Sequence, residues 1–235
     1  MSRSIRGVTY YSDMGADLWV AETLLYRRDA YFLEFGALDG MTASNTAMLE
    51  KTLGWKGIAV EANPTYYPEV CASRSCITVN AALAAVSREE VEMIDVFGLS
   101  TVTKHINIDG EQKTRERDAR GYVRTDTMNP TELLKRYSTP DRIEFLSLDI
   151  EGGEFEVMTS LDLDAYHFSL LAIEHSGDVK RQNKMRALLL PRGFRVFQRH
   201  HDDWFYHPAH LKQIQLPGQT FDAEKAFALV TETFG

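Results

Sequence analysis

Cysteine is nearly absent, with Cys71 and Cys76 alone among 235 residues. Two thiols so close in the chain build neither a disulfide framework nor, by themselves, a metal site, and free thiols in a reducing compartment are the simpler expectation. Long apolar runs are missing too: none approaches the roughly 18 residues of a membrane span. The opening "MSRSIRGVTYYSD" has no signal-peptide core, so the cytoplasm is the expected location and no membrane partner is expected. Positive charge is in deficit, with 26 Lys and Arg against 34 Asp and Glu and a net charge of −8. That balance argues against nucleic acid as a partner, because phosphate neutralisation needs a basic face. The most basic stretch, "KTRERDARGYVR", mixes signs and reads as a solvated loop, with a local phosphate contact as the lesser reading. Internal repeats and low-complexity linkers are also lacking. One domain over 1–235 is expected.

What is present alternates between two periodicities. Residues 1–30 read as an N-terminal helical extension, with Ser12 capping a helix that carries Leu18, Ala21 and Leu25. "YFLEF" is a buried strand, "TASNTAMLEKTLG" a helix stopped by Gly54, "GIAVEANP" a second strand and "CITVNAAL" a third. Residues 91–128 read as an insertion: "VEMIDVF" alternates like an exposed strand, and the polar stretch 98–121 reads as a mobile, lid-like loop. A helix near "NPTELLKRY", strand "IEFLSLDI", a helix from Glu154, strand "FSLLAIEH" and helix "VKRQNKMRALLLP" follow. "FRVFQR" and "DWFYHP" make a closing hairpin, and residues 218–235 hold a last helix. Such alternation implies an α/β fold with a mainly parallel sheet and helices on both faces. Right-handed crossovers bring the strand ends to a common edge, where ligands bind. Acidic residues recur there: Glu34 and Asp39 after the first strand, Glu61 after the second, Asp149 and Glu151 after the fourth, Glu174 with His175 after the fifth.

The loop "FGALDG" narrows the ligand. A dinucleotide would want Gly-x-Gly-x-x-Gly, and Leu38 and Met41 stand where the second and third glycines belong. Asp39 suits a diphosphate badly, and no phosphate-binding Gly-Lys-Ser/Thr is present. S-adenosylmethionine carries no phosphate but has an ammonium, a carboxylate, a ribose diol and a sulfonium. Glu34 and Asp39 can hold the ammonium directly or through water, and Gly36 and Gly40 admit close backbone approach. Free N–H groups near Thr42 to Asn45 face the carboxylate, and Glu61 accepts the ribose hydroxyls.

The runs "FLEFGALDGMTASNTAMLEKTLGWKGIAVEANP" and "IEFLSLDIEGGEFEVM" resemble the FkbM family of S-adenosylmethionine-dependent methyltransferases, over roughly 31–197. The resemblance implies a Rossmann-like class I methyltransferase fold, with seven strands and the last antiparallel. It also implies cofactor contacts at Glu34, Gly36, Asp39, Gly40, Ser44, Asn45, Glu61, Ala62 and Asn63, with Asn80 and Ala81 bordering the adenine. Ala37, inside the glycine loop, is counted with them. Leu38 and Met41 depart from the Asn and Gly of many relatives and alter the loop's shape.

Methyl transfer is an in-line displacement, and an alcohol acceptor must also lose a proton, to a base or beside a metal ion. Asp149, Glu174 and His175 on adjacent strand tips look like the divalent-metal site of catechol and macrolide-sugar O-methyltransferases. Two carboxylates suit magnesium or manganese; the imidazole is softer than magnesium prefers. The rival assignment is metal-free, with Glu151 or His175 as base and Asp149 orienting. His175 also has a bland reading, a neutral ring satisfied by a carbonyl. His200, His201, His207 and His210 read as exposed rather than as a zinc site. Trp204, Phe205 and Tyr206 read as packing before a sugar platform, and Ser147 has no nucleophile elbow. The expectation is an O-methyltransferase acting on a hydroxyl of a sugar, glycan precursor or secondary metabolite. A small-molecule N-methyltransferase and a non-catalytic cofactor-binding module are the alternatives, and a nicotinamide oxidoreductase is disfavoured by the missing glycines. A homodimer is compatible with the sequence but not indicated by it.

Overall fold

In the computed structural model, which describes residues 3–5, 7–106 and 112–234, seven strands form the central sheet. They are β1 (Tyr31–Phe35), β2 (Lys56–Glu61), β3 (Ile77–Asn80), β4 (Arg142–Leu148), β5 (His167–Glu174), β6 (Arg195–Arg199) and β7 (Asp202–Tyr206). Their spatial order is β6-β7-β5-β4-β1-β2-β3. The pairs β3–β2, β2–β1, β1–β4 and β4–β5 are parallel, while β7 runs antiparallel to both β5 and β6. This is the doubly wound Rossmann-like arrangement, in which the strand order reverses between β1 and β4 and opens a crevice beyond their carboxyl ends.

The central strands are almost continuously apolar because both faces are covered. Leu33, Phe35, Val60, Leu146, Leu148 and Ile173 share one core with the helices Pro130–Arg136, Glu154–Ser160 and Val179–Leu189. Phe32, Phe145, Leu170, Ala172 and Trp204 share the other with the helices Ala16–Thr23, Ala47–Leu53 and Ala223–Phe234. The helix ends follow local chemistry. Asn129 and Asp178 each accept two backbone N–H groups at an N-cap, and Gly54 stops its helix in the left-handed conformation. Trp19 stacks on Trp204 at 5.1 Å, and its indole donates to Ala223 O, which docks the last helix on the first.

Three local expectations are revised. Residues 3–30 are not only helical: Arg3–Ile5 pairs with Val8–Tyr10 before the helix Ala16–Thr23. Ser12 Oγ does accept the N–H groups of Gly15 and Ala16, but Leu25 lies past the helix end, exposed and left-handed. The helix after the glycine loop begins only at Ala47, because the Thr42–Thr46 stretch makes side-chain bonds that hold it as turn. The insertion is a sheet rather than a loop. Ala82–Leu83, Gly121–Met128, Glu90–Asp95 and Thr101–Val102 pair in that order, with the helix Gln112–Asp118 between two of them. The part of the expected mobile loop over 107–111 lies outside the described residues.

Gly36 sits where β1 and β4 come closest, with φ +91°, and a Cβ there would lie 1.7 Å from Asp149 O. No rotamer relieves a clash with main chain. Gly36→Ala is expected to cost at least about 2 kcal/mol in urea unfolding, from left-handed strain plus forced separation of the two tips.

Candidate active site

Beyond the carboxyl ends of β1, β2 and β4 lies a cavity of about 350 Å³. Its floor is the strand tips, and its roof is the insertion, through Val91, Met93, Phe97 and Val102. Bonds to Glu151 help tie roof to floor. Thr101 Oγ1 donates to Glu151 O at 2.7 Å, and Arg115 Nη2 donates to Glu151 Oε2 at 2.7 Å. Arg115 is fully buried and also donates to Leu99 O and Ile106 O.

Glu34, on β1, faces the helix Ala47–Leu53 because its neighbours Leu33 and Phe35 take the opposite face. Its Oε1 accepts from Ser44 Oγ and Asn45 N, and its Oε2 from Thr46 Oγ1 and Arg74 Nη1. A carboxylate has about four acceptor positions, and all four are filled within the chain. Arg74 also donates from Nε to Glu50 Oε2, from Nη2 to Thr46 Oγ1 and from Nη1 to Gly40 O. Glu34 therefore lines the cavity as a brace of the loop, not as an acceptor waiting for an ammonium. Asp39 is turned from the cavity as well; it accepts the N–H groups of Met41 and Thr42 and the Thr42 hydroxyl. The N–H groups of Thr42, Ser44 and Asn45, expected to be free for a carboxylate, are committed to Asp39, Met41 O and Glu34.

Glu61 behaves differently. One oxygen accepts Leu38 N at 2.7 Å and the other Asn63 N at 2.8 Å, the Ala62 N–H also acts on the carboxylate, and Glu61 lines the cavity. Burial pushes its carboxyl up to about 7, against the opposing pull of the Asn63 and Leu38 N–H groups. Of the other expected cofactor residues, Gly36, Ala37, Ser44, Asn45, Ala62 and Ala81 line the cavity. Gly40, Asn63 and Asn80 do not. A side chain at Gly40 would strike Ser73, Asn63 donates to Asp95 and Ser100, and Asn80 donates to the carbonyls of Glu61 and Ala62.

At the β4 and β5 tips, one oxygen each of Asp149, Glu151 and Glu174 lies within 4.8 Å of the others. Glu174 Oε2 is buried with no donor aimed at it. Burial, then the Asp149 and Glu151 carboxylates, raise Glu174 strongly, which favours its protonated form beside Asp149. Asp149 is itself raised, chiefly by the protein around it, although it opens onto the cavity floor. His175 is absent from this group. Consecutive strand residues point to opposite faces, so the residue after Glu174 turns away. Its Nδ1 accepts Gly177 N at 3.1 Å, and its Nε2 meets the Gln182 amide, which donates to Asp203. The set Asp149, Glu174 and His175 expected from sequence is thus replaced by Asp149, Glu151 and Glu174. The loop holding Asp149 and Glu151 is fixed by Glu154, which accepts the N–H groups of Ile150 and Gly152 and pairs with Arg181.

Sequence reasoning missed Arg74, Arg115, Lys104 and His105. The last two line the cavity from a short 3-10 turn over Thr103–His105 inside the insertion. A lone arginine in "CASRSC" carries no periodic signal, and the turn lay in a stretch read as loop.

The sheet order and the crevice beyond β1 and β2 define a class I, Rossmann-like methyltransferase. The model of the methyltransferase FkbM domain matches residues 34–196, and the chain belongs to that family. It is an S-adenosylmethionine-dependent methyltransferase. Similar solved structures include human methyltransferase-like protein 13 in complex with S-adenosylhomocysteine, at 10% identity and TM-score 0.46, covering 94% of this chain and 88% of that one. A methyltransferase from Pyrococcus furiosus has 16% identity and TM-score 0.39, covering 83% and 82%. Precorrin-6y C5,15-methyltransferase from Geobacter metallireducens has 14% identity and TM-score 0.39, covering 79% and 84%. The assignment rests on the family match and the topology, not on these distant likenesses. No curated protein matches the chain. Among the described residues, no helix is long and apolar enough to cross a membrane.

Removing one partner of a buried ion pair leaves an uncompensated charge. Arg74→Met strips Glu34 and Glu50, both nearly water-free, of their shared cation. Urea unfolding is expected to show a loss of about 3–5 kcal/mol, whereas a loss below about 1 kcal/mol would show that the brace is dispensable.

Proposed function

We propose that the chain transfers the methyl group of S-adenosylmethionine to a hydroxyl of a small uncharged acceptor such as a sugar, glycan precursor or secondary metabolite. The observation that carries the cofactor's placement is Glu61. Its carboxylate lines the cavity from the tip of β2, with no side chain donating to it among the described residues, and a carboxylate there suits the two hydroxyls of a ribose. The cavity's charge agrees. Asp13, Glu34, Glu61, Asp149 and Glu151 line it, and the one lysine there, Lys104, is bonded to Glu156. Such a field favours a ligand carrying sulfonium and ammonium charges and repels a diphosphate. With Glu34 saturated, the ammonium meets that field rather than a dedicated carboxylate. In this reading the ribose lies at the β2 tip beside the Gly36 loop and the sulfonium points toward the β4 tip. Asp149 and Glu151 then flank the methyl group. The hydroxyl acceptor follows from the family resemblance and from a cavity too acidic for a phosphorylated one.

Titration calorimetry tests the cofactor. Wild-type protein is expected to bind S-adenosylhomocysteine and to ignore NADH; the reverse would sink the reading. Glu61→Gln is expected to weaken S-adenosylhomocysteine at least about tenfold, since the diol loses a charged acceptor. The sign of the pH dependence follows from Glu61 at about 7. The ionised form accepts both hydroxyls, so wild-type affinity is full above that value and falls as pH drops through it. In Glu61→Gln this dependence disappears.

A second reading concerns the proton between Asp149 and Glu174. The buried, donorless Glu174 Oε2 and the three converging oxygens also suit a divalent cation in place of that proton, held by Asp149, Glu151 and Glu174. A bound cation would supply charge that lowers the acceptor hydroxyl's pKa. Manganese titration followed by electron paramagnetic resonance discriminates. Tight binding lost in Asp149→Asn supports the cation, and undetectable binding to the wild type leaves the shared proton.

A further inference from the structure

We infer that His105 is the base that takes the acceptor's hydroxyl proton. This rests on the O-methyltransferase reading above and names a residue for its proton-transfer step. The imidazole lines the cavity from the insertion, on the wall that faces the β4 tip. It lies against Gly152 and Gly153. A Cβ at Gly152 would be 2.7 Å from His105 Cβ, and one at Gly153 would be 3.7 Å from His105 Nε2. Gly152 therefore makes room for His105, which reaches across from a separate element, and the ring's Nε2 lies in ordinary contact range of Gly153.

The carboxylates and the lysine that line the cavity are otherwise engaged, and the Tyr66 phenol, raised by burial to about 12, keeps its own proton at neutral pH. Glu34 is saturated, and Glu61 is positioned for the ribose. Glu151 is held by Arg115, and Asp149 lies in the carboxylate cluster with Glu174, whose raised carboxyl it faces. Lys104 is bonded to Glu156, and Asp13 has interactions of its own. The His105 ring has no hydrogen-bond partner among the described residues. Burial, and then Lys104, hold its pKa below the ordinary histidine value, so the ring is neutral and able to accept at neutral pH. Glu156, Glu154 and Arg181 are the other charged groups that act on it, with Asp149 and Glu151 also in the cavity.

The step balances. The acceptor oxygen attacks the methyl carbon as the carbon–sulfur bond breaks, and that bond's electron pair stays on sulfur as a neutral thioether. The hydroxyl proton passes to the imidazole, and the imidazolium later releases it to water.

The test uses the whole chain, tritiated S-adenosylmethionine, and a panel of neutral mono- and disaccharides, their methyl glycosides and small phenols. At saturating S-adenosylmethionine, where the Glu61-linked loss of affinity does not limit the rate, wild-type kcat is expected to be full at neutral pH and to fall on acidification through the lowered histidine pKa. His105→Gln is expected to lose about 10²–10⁴-fold in kcat and the acid limb of the profile, with its S-adenosylhomocysteine Kd within about twofold of wild type. In His105→Ala, added imidazole is expected to restore part of the rate, which a packing role would not produce. A His105→Gln enzyme with wild-type kcat and the same acid limb overturns the assignment of His105 alone. A wild type that binds S-adenosylhomocysteine yet methylates nothing in the panel overturns the hydroxyl-acceptor reading beneath it.

Discussion

A guanidinium with no water around it organises this site. Arg74 lies between Glu34 at the end of β1 and Glu50 in the following helix, 2.5 Å from each, with its side chain fully buried. A charge in that position is tolerable only with oxygens around it, and two carboxylates, Thr46 and the Gly40 carbonyl provide them. The consequence is geometric. Once Arg74 holds Glu34, the carboxylate also gathers Ser44, Asn45 and Thr46, and the chain from β1 to the helix has one path. That path places Gly36 against Asp149 and aims the Leu38 N–H at Glu61. The carboxylate we propose for the cofactor's ribose, Glu61, is thus oriented by a loop that a different carboxylate holds still.

The roof obeys the same logic with a second buried arginine. Arg115 joins the insertion to Glu151, and Thr101 adds a hydroxyl to the Glu151 carbonyl. Because those bonds reach the loop after β4, the insertion roofs the cavity above the β4 tip as well as above the tips of β1 and β2. Its exposed Phe97 and Tyr122 lie outside any packed core, as expected for a layer whose inner face meets a cavity.

Much of the framework was legible. "YFLEF", "GIAVE" and "IEFLSLDI" gave three adjacent parallel strands because continuous apolar runs are what a sheet covered on both faces requires. The closing hairpin and the position of Glu61 were legible for the same reason. Other features were hidden for physical causes. The insertion is polar because its sheet covers an open cavity rather than a core, and polarity reads as loop. Arg74 and Arg115 act through bonds that cross 40 and 36 residues of chain, which no local pattern announces. One error was avoidable: the two-residue period of a strand already separates Glu174 from His175. His175 was therefore due on the opposite face, where Gln182 and Asp203 satisfy it.

The central claim is that a phosphate-free nucleoside occupies the crevice beyond β1 and β2 with its ribose on Glu61. A crystal structure of the chain grown with S-adenosylhomocysteine tests it most directly. The account predicts both ribose hydroxyls within hydrogen-bond distance of the Glu61 carboxylate and no contact between the amino group and Glu34. A ribose bound elsewhere, or an amino group seated on Glu34 with Arg74 displaced, would contradict it.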